Sequence, residues 1–210
     1  MRNIFFLVSI LSGTANLAQQ QEPEAREVLD AMSTKYKRID VFTADFEQVL
    51  KNKAAGVEED PIKGIITVMG DKYLLELFGQ QIYNDTDSVY TYAPDIAEVT
   101  IAAYEPDEEE ISLSNIYDLY KSGFKYHIQD IQGDGTKLID LEPIEKTNKS
   151  YFKIRMEISK DHDLNAFSVY EGNGNIYTYQ VTSFKERTDI PASFFTFDPS
   201  QYDDIEVVRF

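Results

Sequence analysis

Asp161-His162-Asp163 is where side chains able to hold a metal or move a proton lie closest together in this 210-residue chain, followed by the acidic run EPDEEE from Glu105 to Glu110. Three consecutive residues in a hairpin turn cannot all point at one ion, so the first stretch is read as a turn. The second offers oxygens for Ca²⁺ but lacks the D-x-[DN]-x-[DN]-G spacing that shapes such a loop, and is read as solvated and self-repelling. His127, the other histidine, alternates with Tyr126 and Ile128 as a solvent-facing strand residue does. No serine occupies a G-x-S-x-G elbow. Catalysis needs matched groups held within reach of one another, and this supply is thin. The expectation is a protein that is not an enzyme and uses no metal and no cofactor.

What the chain has in abundance is apolar and aromatic surface at strand spacing. In KYLLELFGQQIYNDTDSVYTYAPDIAEVTI, Leu75, Leu77, Tyr90, Tyr92, Val99 and Ile101 recur with a period of two between polar turns. A further alternation, YFKIRMEIS, puts Phe152, Ile154, Met156 and Ile158 on one face and Lys153, Arg155 and Glu157 on the other. Strand signals follow at roughly ten-residue spacing: FTADFEQVL, GIITVM, KYLLELF, SVYTYA, EVTIAAY, KYHIQDI, KLIDLEP, YFKIRMEI, AFSVYE, NIYTYQVTSF, FFTF and IEVV. The turn clusters NDTD, QGDG and GNGN suit tight antiparallel connections.

Two helical patterns accompany the strands. Residues Glu22 to Arg38 place Val28, Leu29, Met32 and Tyr36 on one face, with acids early and bases late, as the helix dipole favours. Within YEPDEEEISLSNIYDLYKSGF, Ile116, Leu119 and Tyr120 share a side; Ser112 or Ser114 would cap the helix and Gly123 end it. This second helix is read as a lid over the sheet. So many strands with one apolar face cannot be covered by two short helices unless the sheet curls, and curling also removes edges. The fold class expected is mostly β: an incomplete, half-open antiparallel β-barrel of about eleven strands with a helical lid, able to enclose a ligand cavity.

Residues 1–18, MRNIFFLVSILSGTANLA, read as a secretory signal peptide, with Arg2 ahead of an apolar stretch and small residues for cleavage. Residues 19–210 then form one domain. No later segment approaches the eighteen apolar residues of a membrane span. Without cysteine there is neither a disulfide nor an acceptor for a lipid anchor. A net charge of -17 repels phosphate backbones and anionic bilayers, so nucleic acid is excluded as a partner and membrane contact is only transient.

Taken in order from Val28 to Val208, these segments resemble the outer-membrane lipoprotein carrier proteins, the LolA family. The helix and F-x-A-x-F of VLDAMSTKYKRIDVFTADFEQ are similar to the family's opening, GIITVMGDKYLLELFGQQIYNDTDSVYTY and AEVTI to its strand–turn–strand centre, and FTFDPSQYDDIEVV to its close. The chain departs from the family at Gly70-Asp71, where many members carry Arg-Pro and an Arg-dependent lid latch, and at Tyr90-Thr91-Tyr92, where W-x-Y is usual. The resemblance implies a monomeric periplasmic carrier that takes acylated lipoproteins from an inner-membrane ABC transporter to an outer-membrane acceptor. Acyl chains would lie against Phe46, Tyr73, Leu75 and Leu77, against Tyr90, Tyr92, Val99 and Ile101, and against Phe152, Ile154 and Met156, with Ile116, Leu119 and Tyr120 closing over them. A carrier of other lipids, and a filled β-module that binds a protein on its surface, are the alternatives the residues leave open.

Overall fold

A computed structural model describes residues 21–105, 111, 113–147 and 149–210; the segment 1–18 read as a signal peptide, most of the EPDEEE run and Ser112 lie outside the described residues. Pro at the first helical turn, Glu24 in that turn and Lys35 in the last fit α1 (Pro23–Tyr36) to its dipole. There follow β1 (Val41–Asn52), β2 (Val57–Glu58), β3 (Ile62–Met69), β4 (Lys72–Leu77), β5 (Gln80–Asn84), β6 (Ser88–Ala93) and β7 (Glu98–Ala103). After the covering segment come β8 (Phe124–Ile131), β9 (Lys137–Pro143), β10 (Tyr151–Ile158), β11 (Leu164–Glu171), β12 (Ile176–Glu186) and β13 (Glu206–Arg209). All belong to one sheet, in the order β13-β7-β6-β5-β4-β3-β1-β12-β11-β10-β9-β8, with β2 beside β1. The sheet is open, its two ends lying on β13 and β8.

Thirteen strands replace the expected eleven for local reasons. The polar QQIYN becomes β5 because the two-residue turn Phe78-Gly79 folds it back on β4, with both turn residues at positive φ (54° and 76°). Such a turn matches the twist of a hairpin, and it overrides the weak strand propensity of the sequence it connects. FFTF is not a strand: Ala192–Phe195 form a 3-10 turn. The last strand departs from the meander too, since β13 pairs with β7 in parallel.

One face of the sheet carries α1, and this inner face holds the main core. Phe42, Ala44 and Phe46 on β1, Ile66 and Val68 on β3, Ile154, Met156 and Ile158 on β10, and Phe167 on β11 pack there with Leu29 and Met32 of the helix. Gly64 is required beneath Phe46: a Cβ at that position would lie 2.3 Å from the ring's Cζ. The start of the helix also closes an edge, for Glu22 N–H donates to Tyr126 O at 3.1 Å and Ile128 N–H to Glu22 Oε2 at 2.7 Å.

The outer face carries an apolar cluster of its own at one end. Val99, Ile101 and Phe197 form a second buried cluster there, joined by Tyr83, Tyr90, Tyr92 and Ile205. Phe197 meets Tyr92 at 5.0 Å, Tyr83 at 5.5 Å and Tyr202 at 4.8 Å between ring centroids. The segment from β12 to β13 thus crosses the outside of the sheet like a strap and ends as its edge strand.

Candidate ligand-binding site

Register decides which side chains can share a site. In the antiparallel ladder Val68 opposes Tyr73, Tyr73 opposes Asn84, Asn84 opposes Val89 and Val89 opposes Ala102. Directly opposed residues point to one face, so this row lies on the inner face with Phe42, which opposes Val68. Two grooves open along it. One, of about 530 Å³, combines Tyr36, Ile39, Phe42, Val68 and Tyr117 with polar groups that include Lys37, Asp40, Asp71 and Asp118; the other, of about 430 Å³, is lined by Tyr73, Val89, Ala102, Tyr104, Glu105 and Phe210. Both fall within the roughly 300–1,000 Å³ typical of small-ligand sites.

Four of the expected lining residues therefore leave the site. Tyr90, Tyr92, Val99 and Ile101 face outward, because Leu74 opposes Tyr83, Tyr83 opposes Tyr90 and Tyr90 opposes Ile101. A slip of one residue in parity reverses a whole strand, and alternation inside a strand cannot show its phase relative to the next. Phe152 leaves as well. An irregular register between Tyr151 and Lys153 turns Tyr151 inward and leaves Phe152 49% exposed against Tyr170 on the outer face. Tyr73, Leu75 and Leu77 sit half-buried on the inner face, while Phe46, Ile154 and Met156 are buried beneath the helix and the covering segment.

That covering segment is built differently from the helix expected. Residues 113–118 form successive turns and Leu119–Lys121 a single 3-10 turn, yet Ile116 and Tyr120 are buried as the spacing requires, with Leu119 partly so. Tyr117, which the periodicity did not single out, stacks on Tyr36 with ring centroids 3.8 Å apart. Burial pushes the Tyr36 phenol up to about 12 and raises that of Tyr117, so both stay neutral and the groove mouth carries no charge from them. The Tyr36 oxygen accepts a hydrogen bond from Leu164 N–H at 3.1 Å.

Asp118 ties this segment to α1. Ser33 Oγ donates to its Oδ1 at 2.6 Å, Lys37 Nζ approaches Oδ2 at 2.8 Å, and Lys121 pairs with the same carboxylate. Tyr120 O–H donates to Asp30 at 2.6 Å. Partial burial alone would raise the Asp118 pKa; the hydrogen bonds and charges of Lys121, Lys37 and Ser33 outweigh it and hold the carboxyl below its usual value. A depressed pKa contributes stability above the unfolded-state value of about 3.9 that is lost as pH falls through the folded one, so the latch stays shut from neutral pH to about pH 5. Exposed ion pairs contribute at most about 1 kcal/mol. Asp118→Asn, which removes the charge and keeps an acceptor for Ser33, is expected to raise apparent affinity for a fluorescent acyl ligand about fivefold, because binding no longer displaces a fully latched cover. Unchanged affinity in an equilibrium titration would show that the cover does not move.

Among the described residues no three His, Asp or Glu side chains converge as a metal site; His127 is exposed, and His162 is a turn residue at φ 63°. The candidate site is a pair of grooves along the inner face, the first partly closed by the covering segment. Across residues 77–198, more than half of the chain, the sequence matches the family described as outer membrane lipoprotein carrier protein LolA. The chain belongs to the LolA family. No curated protein sequence matches it. Among solved structures, this LolA-family chain is similar to an uncharacterized conserved protein from Thermus thermophilus, at 13% identity and a TM-score of 0.56, covering 89% of this chain and 99% of that one. It is also similar to the lipoprotein LppX of Mycobacterium tuberculosis, at 14% identity and a TM-score of 0.51, covering 81% of this chain and 100% of that one. These likenesses establish a shared LolA-like fold, mostly β and built on one open sheet with, among the described residues, a single α-helix.

The residues that sequence reasoning missed have a common cause. Ile82, Asn84 and Val89 come to the inner face through β5 and β6 registers that only the turns define, and Val89 lines the second groove. Asp118 lacked any periodic signature; a carboxylate three residues before Lys121 was the one available hint.

Proposed function

We propose that this chain is a periplasmic carrier of acylated lipoproteins, holding acyl chains along the inner-face trough and moving them from the inner to the outer membrane. The observation that carries the reading is the pairing of an apolar inner face with a cover whose own side chains, Ile116 and Tyr120, occupy that face while an ion-paired latch holds them down. Such a cover acts as an internal competitor. Burying a sixteen-carbon chain is worth on the order of 12 kcal/mol gross at about 0.8 kcal/mol per CH₂, and a bilayer offers nearly the same. A carrier must therefore bind below the gross figure, and displacing a packed cover lowers net affinity.

In this reading residues 1–18 direct export and are removed, and the remainder works as a monomeric domain that is not an enzyme. It accepts lipoproteins from an inner-membrane ABC transporter and delivers them to an outer-membrane acceptor. The acidic exterior keeps membrane contact brief. The competing reading, a filled module without a ligand, draws on the complete burial of Ile116 and Met32.

The test is native and lipid mass spectrometry on the protein purified from a bacterial periplasm. Acylated peptides or lipoproteins at near-stoichiometric levels are expected. Other lipids at that level would transfer the role to a different amphiphile, and an empty protein that also ignores added triacylated peptide would overturn the carrier reading.

A further inference from the structure

Asn84 lies in the inner-face row between Tyr73 and Val89 with half of its side chain unused. It is 0% exposed, and its Oδ1 accepts Thr86 N–H at 2.8 Å, which fixes the orientation of the amide. Its Nδ2 has no hydrogen-bond partner among the described residues. Buried polar groups without partners are rare and costly, so each one calls for a reason. The turn does not provide it. Holding Thr86 needs only an acceptor, which aspartate would supply; the next residue, Asp85, does this for Asp87 N–H at 3.0 Å and Ser88 N–H at 2.9 Å. What an asparagine adds is a donor, placed on the inner face between Tyr73 and Val89, both of which line the second groove.

We propose that Asn84 is a ligand-binding residue whose side-chain amide donates a hydrogen bond to the carbonyl oxygen of an ester- or amide-linked acyl chain. The assignment rests on the carrier reading and deepens it. The first groove, lined by Phe42, Val68 and Tyr117, takes hydrocarbon; one ladder step further, past Tyr73, a neutral donor meets the linkage where hydrocarbon ends. Charge narrows the class. Glu105 lines the same groove, so a free fatty-acid carboxylate would meet a like charge there while an uncharged ester or amide carbonyl would not. A site that hydrogen-bonds a ligand oxygen discriminates against an analogue without it, since the donor is then left unpaired.

The experiment compares a diacylglycerol ester with its dialkyl-ether analogue of equal chain length, each displacing a fluorescent acyl probe from the full mature chain. The parent protein is expected to prefer the ester about tenfold. Asn84→Asp keeps the acceptor for Thr86 N–H and removes the donor, and should bring the two ligands to equal affinity; Asn84→Leu should do the same. Thermal melts establish that each variant is folded, and if Asn84→Leu is not, Asn84→Asp decides. Equal affinities in the parent, or a preference retained in Asn84→Asp, would overturn the assignment while leaving the carrier reading in place. Failure of the parent to bind either ligand or the probe would bring down the carrier reading, and this assignment with it.

Discussion

Phe197→Ala should lower the melting temperature by on the order of 10 °C and leave affinity for acyl ligands within about twofold. Phe197 is the hub of the outer-face cluster, in ring contact with Tyr83, Tyr90, Tyr92 and Tyr202. Removing a buried phenylalanine typically costs about 3–5 kcal/mol, and in a domain of this size each kcal/mol moves the midpoint by about 2–4 °C. The strap it anchors also supplies β13, the edge strand against β7, so its loss would uncover both an aromatic patch and a sheet edge. Circular dichroism melts and a fluorescence titration check the two halves of the expectation. Loss of ligand binding in a variant that remains folded would return Tyr90 and Tyr92 to the binding site, from which the ladder register removes them.

Leu77→Glu should act in the opposite way, cutting acyl-ligand affinity by on the order of a hundredfold while shifting stability by about 1 kcal/mol or less. Leu77 is half-buried at the end of β4 on the inner face, so a glutamate in the empty protein can turn its carboxylate to water. With hydrocarbon against it that escape closes, and desolvating a charge by even a few kcal/mol translates into two or more decades of affinity. The contrast with Phe197→Ala is the informative part. If the proposed function holds, the aromatic cluster supports the fold without touching ligand, and the aliphatic strip holds ligand without being needed for the fold. If Leu77→Glu unfolds the protein and the parent binds no lipid, the inner face is a filled core and the carrier proposal fails.

Much of the architecture was legible because short-range physics writes it directly. The 3.6-residue spacing of Val28, Leu29, Met32 and Tyr36 is that of a helix burying one face, and those four residues are buried in α1. The period-two run Ile154, Met156, Ile158 is that of a half-covered strand, and all three are buried in β10. The surplus of strands over helices already argued for a single sheet curling into a partial barrel, which the structure leaves open between β13 and β8, and turn clusters such as NDTD fall between β5 and β6 as their composition demands. The ordered resemblance from Val28 to Val208 named the family that residues 77–198 match.

Phase between strands was not legible, and the site depends on it. Alternation says that Tyr90 and Tyr92 share a face and that Leu75 and Leu77 share a face; it cannot say whether the two faces coincide. That is decided by the positive-φ turn at Phe78-Gly79 and by the loop from Asp85 to Asp87, each of which sets how many residues pass before pairing resumes. The same holds for the bulge that turns Phe152 outward, for the parallel docking of β13, and for the meeting of Asp118 with Ser33, 85 residues away in sequence. From its sequence alone this protein is an acidic, cysteine-free β-sheet chain with an amphipathic helix, a second helical pattern that the structure builds as turns, and an apolar face to cover. Which residues form that face, what latches its cover, and that Asn84 lies on it with a spare donor are set by register and long-range contact, which local pattern carries no information about.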